Sequence, residues 1–334
     1  MKNVLVNAVV WALLGQMTHS ALPQDSSAES NDHRWYRGNT HCHTLNSDGD
    51  SSPWDVAECY KKHNYDFVII TDHDFLTDVD RLNAVYGKEG DFLVIGGVEV
   101  SDRFENKAIH LNALNPARLV LPTGGAGVVE TLQNNVNEIR AAGAVPTLNH
   151  PNYRWSFGAE EMRQVQNYKL FELYNGHPSV NNNAGGGYPG MEEIWDDILS
   201  TGKVVYGVAS DDAHSYRDPF NRAKALPIRG WVMVKAAELT PAAIVNALDQ
   251  GQFYSSTGIE IEDYQVDETL ITLKVKQISD TKYRIQFIGK YGKTLQEDTE
   301  NSATYRLKGD EMYVRVKIMD SNGNRAWTQP VWIN

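Results

Sequence analysis

The sequence predicts an α/β fold whose largely parallel sheet is closed or nearly closed into a barrel. Short apolar runs, continuous rather than alternating and rich in branched side chains, have the character of strands that are buried on both faces. Helical patterns lie between several of these runs, which is typical of strands joined by crossover helices. The runs cover residues 67–70, 92–95, 108–114, 144–148, 170–173, 204–209 and 231–234.

Three segments between or after these runs predict helices. In residues 128–142, apolar residues recur every three or four positions until Gly143, a residue that favours a helix end. A second helix is predicted over residues 191–201. A third begins after Thr240, which caps the helix, with Pro241 in its first turn.

After about residue 258 the pattern changes to alternation without helices. Residues 283–287 and 313–318 alternate apolar and polar side chains, which predicts antiparallel strands with one packed face and one wet face. We therefore expect a barrel at residues 34–258 and a small C-terminal antiparallel, β-sandwich-like domain at residues 259–334. Because this domain has no His, Asp and Glu cluster at ligand spacing, we expect a structural role for it, with carbohydrate or surface binding as the alternative.

The first 22 residues have the composition of a secretory signal peptide. Lys2 precedes an apolar stretch at residues 4–14, and the small residues at 18–21 form a plausible cleavage site. We expect an exported protein, periplasmic or secreted, in which residues 23–33 are a flexible lead-in. No other segment approaches the roughly 20 apolar residues that a bilayer span requires, so we expect no membrane span after cleavage. A retained N-terminal anchor is the alternative.

The composition limits the partners of the protein. A formal charge of −12 over 334 residues argues against broad electrostatic binding to a nucleic-acid polymer, which requires a basic surface. We expect a small-molecule substrate, and the composition leaves the oligomeric state open. Cys42 and Cys59 are too few for a disulfide framework, so free thiols are favoured over a bridge.

Histidines and acids gather at or just beyond the ends of the apolar runs. In a parallel barrel the carboxyl ends of the strands meet at one edge, so these side chains should converge. Imidazole and carboxylate are ligands that divalent zinc, manganese and iron accept, and the set therefore predicts a hydrolytic metalloenzyme. The motifs are Thr40-His41-Cys42-His43-Thr44, Ser47-Asp48-Gly49, Thr71-Asp72-His73-Asp74, Gly97-Val98-Glu99, Ile109-His110, Asn149-His150-Pro151 and Asp211-Asp212-Ala213-His214.

In this order, the motifs HxH, SDG, TDH, GVE, an isolated His, NHP and DxH resemble those of the polymerase and histidinol phosphatase (PHP) superfamily of metal-dependent phosphoesterases. The resemblance covers about residues 35–258. Residues 248–258 and 325–332 further resemble the branch labelled CehA/McbA-like. Membership implies a distorted seven-stranded (β/α)7 barrel that carries two or three divalent metal ions, Zn, Mn or Fe.

The resemblance also implies which residues bind the metals. The nine ligands are His41, His43, Glu99 and Asp212 for the first metal, Glu99, His110 and His150 for the second, and Asp48, His73 and His214 for the third. Of these, Glu99, Asp212 and His214 are expected to take part directly in catalysis. Many relatives have histidine in place of Asp48, which makes the third site weaker or more oxygen-rich. Asp72 and Asp211 are expected to orient ligating imidazoles.

Substrate contacts are predicted in the loops near the inferred mouth of the barrel. Arginine can bind phosphate oxygens through two parallel hydrogen bonds, and aromatic rings provide a platform for a planar group. The candidates are Tyr153, Arg154, Asn175, His177, Arg217 and Arg222.

The predicted function is hydrolysis of phosphate monoesters or diesters. A water that bridges two cations loses its proton near neutral pH and attacks phosphorus in line, so no nucleophilic side chain is required. The first alternative keeps the metal site but cleaves a carbamate or carboxyl ester, and a site without positive phosphate-binding side chains would favour it. The second alternative is a non-catalytic, metal-bound surface or glycan-binding protein.

Overall fold

Residues 33–333 are described by a computed structural model of the protein. The predicted signal peptide at residues 1–22 and nearly all of the predicted lead-in lie outside the described residues. Across residues 33–333, every helix is too short or too polar to cross a bilayer. Cys42 and Cys59 are both free thiols, as predicted.

The apolar runs form the strands of the predicted sheet. Every residue of the second and fifth strands is buried, which explains their continuous apolar sequence. The strands are β1 (Arg34–Asn39), β2 (Phe67–Ile70), β3 (Leu93–Phe104), β4 (Lys107–Leu114), β5 (Val145–Leu148), β6 (Leu170–Asn175), β7 (Tyr206–Ser210), β8 (Trp231–Ala236) and β9 (Phe253–Ser256).

The three predicted helices are confirmed, and three further helices occur in the described range. The first predicted helix ends just before Gly143, which has a φ of +74°. The third has Thr240 at its N-cap, where the side chain accepts a hydrogen bond from the N–H of Ala243. The helices are α1 (Pro53–Lys62), α2 (Asp80–Tyr86), α3 (Val128–Ala141), α4 (Ala159–Gln164), α5 (Met191–Leu199) and α6 (Pro241–Asp249).

The C-terminal part of the chain is built from strands alone, apart from one short 3₁₀ turn. These strands are β10 (Ile261–Val266), β11 (Leu270–Val275), β12 (Tyr283–Gly289), β13 (Lys293–Asp298), β14 (Ser302–Arg306), β15 (Tyr313–Asp320), β16 (Arg325–Thr328) and β17 (Val331–Trp332). All of their pairings are antiparallel.

One mixed sheet runs through most of the described chain. Its strand order is β13-β12-β15-β16-β9-β8-β1-β2-β3-β4-β5-β6-β7, and β10, β11 and β14 form a separate sheet. Pairing is parallel for β1–β2, β2–β3, β5–β6 and β6–β7. The α/β class is therefore confirmed. The (β/α)7 barrel and the separate C-terminal domain stay predictions.

The expectation of parallel strands is wrong at β3 and β4. The two strands pair antiparallel along eight residue pairs, from Gly97 opposite Leu114 to Phe104 opposite Lys107. Only two residues connect them, and a connection this short can join only antiparallel neighbours. This hairpin also makes β3 much longer than the apolar run at residues 92–95 suggested.

A buried ion pair joins the C-terminal strands to α5. Arg315 of β15 donates from Nε to Asp196 Oδ1 over 2.8 Å and from Nη2 to Asp196 Oδ2 over 2.5 Å. The hydroxyl of Tyr313 donates to the same carboxylate over 3.0 Å. Because Arg315 is 1% exposed, its charge depends chiefly on this hydrogen-bonded partner, since the next carboxylate, that of Glu192, lies 3.8 Å from Nη2.

Replacing Asp196 with alanine should lower the free energy of unfolding by about 3–5 kcal/mol, because the guanidinium would remain buried without its carboxylate. Chemical denaturation would measure the change. Glu262→Ala is the matched control, since its ion pair with Lys274 is about half exposed and should be worth less than about 1 kcal/mol. Equal losses in the two variants would contradict the prediction.

Candidate metal centre

The segments that carry the predicted ligands continue the strands at one edge of the sheet. After β1, the carbonyl of His41 accepts a hydrogen bond from the N–H of Asp212 over 3.0 Å. The N–H of His43 donates to the carbonyl of Ala213 over 2.9 Å. These bonds pair the segment after β1 with the segment after β7, although about 170 residues separate them. Imidazoles from the segment after β1 thus lie beside a carboxylate from the segment after β7.

Four donor atoms converge in the first group, which consists of His41, His43, Glu99 and Asp212. The Nε2 atoms of His41 and His43 lie 3.1 Å apart. Glu99 Oε2 lies 3.3 and 3.2 Å from these two nitrogens, and Asp212 Oδ1 lies at the same two distances. All four residues are nearly or fully buried.

This spacing fits a divalent cation. Ligand atoms about 2.0–2.1 Å from a tetrahedral zinc lie about 3.3–3.4 Å from one another, close to the distances in the first group. Two buried carboxylates that face two imidazole nitrogens would otherwise concentrate lone pairs and negative charge in a dry site. The four donors are therefore suited to one metal ion.

Glu99 also faces a second group through its other oxygen. Oε1 lies 3.2 Å from Nδ1 of His110 and 3.1 Å from Nε2 of His150. The amide of Asn149 donates to the same oxygen over 2.9 Å. One carboxylate therefore presents each of its oxygens to a different set of imidazoles, which is the arrangement of a ligand that bridges two cations.

The third group surrounds Asp48, whose side chain is 55% exposed. Its carboxylate lies 3.2 Å from Nε2 of His214, 3.5 Å from Nε2 of His73 and 3.6 Å from Nδ1 of His43. The next residue, Gly49, is required at this turn because a Cβ atom there would lie 2.5 Å from the carbonyl oxygen of His43. The longer distances and greater exposure make this group looser than the first.

Neighbouring carboxylates raise the pKa values of four of the predicted imidazole ligands. Burial lowers the pKa of His41, but the charges of Asp212, Glu99 and Glu172 outweigh burial and raise it well above its ordinary value. Burial also lowers the pKa values of His73, His150 and His214, but neighbouring carboxylates outweigh it and raise all three. Conversely, the imidazoles overcome burial and hold the pKa values of Glu99 and Asp212 well below the ordinary range.

A cavity of about 150 Å³ opens onto the three groups. Its lining includes seven of the nine predicted ligands, and the other two, His41 and His43, are fully buried. Two of the predicted substrate contacts, Tyr153 and His177, also line it. Burial lowers the pKa of His177, so its ring is neutral near pH 7.

The other predicted substrate contacts lie elsewhere. Asn175 is 1% exposed and donates to Asp212 Oδ2 over 3.1 Å, so it supports a ligand. Arg154 is exposed, with its guanidinium over the ring of Tyr153 at 5.2 Å. Arg217 and Arg222 are exposed. Within residues 33–333, no arginine or lysine lines the cavity.

The carboxylate that contacts a predicted imidazole ligand from behind is Glu172, which the sequence analysis missed. Glu172 Oε1 lies 2.7 Å from Nδ1 of His41. Asp72 and Asp211 do not take this role. Asp72 accepts hydrogen bonds from the hydroxyls of Thr44, Ser47 and Thr77, and Asp211 accepts from Tyr60 and three backbone N–H groups of residues 228–230. The sequence feature that could have indicated Glu172 is an acidic residue within an otherwise apolar strand, β6.

Two predicted ligands occupy the left-handed region of backbone conformation. The φ angles of His150 and Asp212 are +27° and +50°. Neither residue is glycine, so each conformation costs of order 1–3 kcal/mol that the surrounding hydrogen bonds must offset. Strain of this kind concentrates at functional sites.

His41→Ala should lower the content of bound metal, because it removes one of four donors that share one cation. Elemental analysis after loading and desalting would measure metal per chain. His63→Ala is the matched control, since His63 is exposed and bonds only within its own turn, to Cys59. Metal content equal to that of the control would count against the first group.

Metal binding near neutral pH should release at least one proton per cation, because protons held on His41 and its neighbours must leave before the nitrogens can bind. Since these pKa values are raised, protons compete with the cation at neutral pH, and increasing the pH from about 6.5 to about 7.5 weakens that competition and should tighten binding. Calorimetry in two buffers of different ionisation enthalpy would measure the release. Affinity that stays constant over this range would contradict the expectation.

Comparisons with known proteins give a limited match in sequence. No protein-family model matches the chain. A curated 5′-3′ exoribonuclease from Haemophilus influenzae is 32% identical over 75 residues, which is 22% of this chain and 27% of that protein. The chain thus spans little more than a quarter of the length of that relative.

The fold has a clearer counterpart among solved structures. A two-domain protein from Bacteroides vulgatus, which contains a predicted PHP-like metal-dependent phosphoesterase, matches with a TM-score of 0.50 and 16% identity over 90% of this chain and 96% of that one. A candidate metal-dependent phosphoesterase from Bifidobacterium adolescentis matches with a TM-score of 0.38 and 16% identity over 53% and 87% of the two chains, too weakly to compare folds. The CehA/McbA-like branch stays a prediction. The resemblance to the PHP superfamily is confirmed at the level of the fold, which this chain shares with the PHP-like protein from Bacteroides vulgatus.

Proposed function

We propose that this protein is a metal-dependent hydrolase that cleaves phosphate esters of small molecules. The observation that carries the proposal is Glu99, whose two oxygens face two separate sets of imidazoles beside a cavity. Two cations held on one bridging carboxylate are a recurring arrangement for hydrolysis of phosphate esters. We propose Zn, Mn or Fe as the ions, with the looser group around Asp48 as a third position.

The residues of the chain have distinct tasks in this proposal. Bound cations supply charge stabilisation for the reacting group and lower the pKa of a coordinated water. Glu99 would hold two ions close together and Asp212 would complete the first group, while His214 lies at the opening, where it reaches both Asp48 and the cavity. Nδ1 of His177 accepts a hydrogen bond from the N–H of Ser179 over 3.1 Å, so the proton of the neutral ring is on Nε2 and available to a substrate oxygen.

The size of the cavity supports a small substrate. A volume of about 150 Å³ holds several water-sized groups, enough for a phosphate group and the first atoms of its ester. Tyr153 contacts the ring of His150 edge-on, with ring centroids 5.5 Å apart, and forms part of the wall.

We also propose export of the mature protein, on the composition of residues 1–22, and a seven-stranded barrel of β1–β7.

A second candidate function is hydrolysis of a carbamate or carboxyl ester at the same site. It is favoured by one observation: no arginine or lysine lines the cavity in the part of the chain that the structure describes. A doubly charged phosphate would then depend on the metal ions alone for its countercharge. A carbonyl substrate needs no such countercharge.

Turnover of three chromogenic esters by metal-loaded protein would decide between the two functions. We expect chelator-sensitive release of p-nitrophenol from p-nitrophenyl phosphate or bis-p-nitrophenyl phosphate with Zn, Mn or Fe. Asp212→Ala should abolish it because this variant loses one of the four ligands of the first cation. His63→Ala should retain full activity.

Each outcome has one meaning. Release from either phosphate supports the phosphoesterase and separates monoester from diester cleavage. Release from p-nitrophenyl acetate alone supports the second candidate. Activity of Asp212→Ala at the rate of the unaltered protein would overturn both.

A further inference from the structure

Glu172 lies in the middle of β6 and is fully buried, yet its carboxylate has four hydrogen-bond donors. Oε1 accepts from Nδ1 of His41 over 2.7 Å and from the hydroxyl of Ser210 over 2.5 Å. Oε2 accepts from the backbone N–H of His150 and from the side-chain amide of Asn175, both over 2.8 Å. With two donors on each oxygen, the carboxylate is saturated.

The bond to His41 decides which nitrogen of that ring carries a proton. A carboxylate can only accept, so Nδ1 of His41 must donate and must hold the hydrogen. In the neutral ring, Nε2 then keeps its lone pair. Nε2 is the atom that faces His43, Glu99 and Asp212 in the first group. Glu172 therefore selects the tautomer that can bind a cation there.

The same carboxylate supports two other predicted ligands. Its bond to the N–H of His150 holds a residue whose φ of +27° is unfavourable for a side chain of this kind. Asn175 uses its amide group twice, donating to Glu172 and, over 3.1 Å, to Asp212 Oδ2. Glu172 thus connects the ligand segments that follow β1, β5 and β7.

Glu172 is not itself suited to bind a metal. Both oxygens are already occupied by donors, and it is absent from the three ligand groups found among the described residues. A carboxylate behind a ligating histidine usually changes metal affinity by 10- to 100-fold.

We propose that Glu172 is a positioning residue that fixes the tautomer of His41 and thereby sets the metal affinity of the first group. The inference rests on the metal binding assumed in the proposed function. In this proposal His41 binds the cation through Nε2, and Glu172 keeps the ring of His41 in the tautomer that leaves Nε2 free to bind.

Glu172→Gln is the sharpest variant because it keeps the shape of the side chain. An amide has one accepting oxygen and one donating NH₂ group, so it cannot accept all four hydrogen bonds. With the NH₂ toward His41, the ring would have to present the wrong tautomer to the cation. With the NH₂ toward His150, two donors would face each other. Either orientation should lower the affinity of the first group for its cation by about 10- to 100-fold.

Metal affinity is measured by competition with a chromogenic chelator, and metal per chain by elemental analysis. His63→Ala is the matched control, because His63 is exposed and lies outside the site, and its metal affinity should equal that of the unaltered protein. Affinity of Glu172→Gln equal to that of His63→Ala would overturn the inference. Failure of the unaltered protein to bind metal would instead overturn the proposed function.

A measurement on the unaltered protein keeps the inference testable if Glu172→Gln does not fold. Nitrogen-15 NMR of the metal-loaded protein distinguishes protonated from metal-bound ring nitrogens, and His41→Ala identifies the signal by its loss. We expect a proton on Nδ1 of His41, protected from exchange, and a cation at Nε2. A metal-bound or unprotonated Nδ1 would overturn the inference.

Discussion

Glu99 imposes the constraint on which the site depends, because it is a buried carboxylate that touches imidazoles on both of its oxygens. Burying a charge is costly unless it is paired, and Asp212 adds a second buried carboxylate beside it. The cavity supplies no arginine or lysine within the described range, so protons on imidazoles or divalent cations must balance this charge. The donor groups of the site could therefore exchange protons for metal ions.

The fold meets this constraint by bringing together the segments that follow several strands, some of them neighbours in the sheet and some far apart in its strand order. The hydrogen bonds between the segments after β1 and β7 bring His41 beside Asp212, and the bridge between His73 and Glu99 does the same for β2 and β3. Such contacts require the chain to leave its strands at fixed positions. The left-handed φ of Asp212 is the local cost of turning its carboxylate back toward the imidazoles.

The sequence predicts those features whose cause is local. Strand β2 and helix α3 could be located because burial on both faces, or on one helical face, leaves a periodic record in the residues themselves. The pairing of β16 with β9 could not, because it depends on which distant strand offers a free edge.

The residues of the candidate site likewise fall into those that the sequence could predict and those that it could not. The convergence of ligands such as His43 could be predicted, because their motifs stand at strand ends and the carboxyl ends of parallel strands meet at one edge of a sheet. Glu172 was missed because a buried acid in an apolar strand resembles an ordinary strand residue until its donors are known. Arg217 and Arg222 follow a ligand in sequence, but the loop that carries them leaves their side chains exposed, away from the cavity lining.

The position of β1 between β2 and β8 has a consequence for biosynthesis. Its edge toward β8 has no partner until about 190 further residues have been made, roughly 10–40 s at ordinary rates of synthesis. An open strand edge invites pairing with other chains, and charged side chains discourage it. Arg34 and Arg37 supply such charges within β1. Once β8 pairs with β1, the guanidinium of Arg37 lies over the ring of Trp231 at 3.9 Å. The side chain that discourages pairing with other chains therefore also stabilises the pairing with β8.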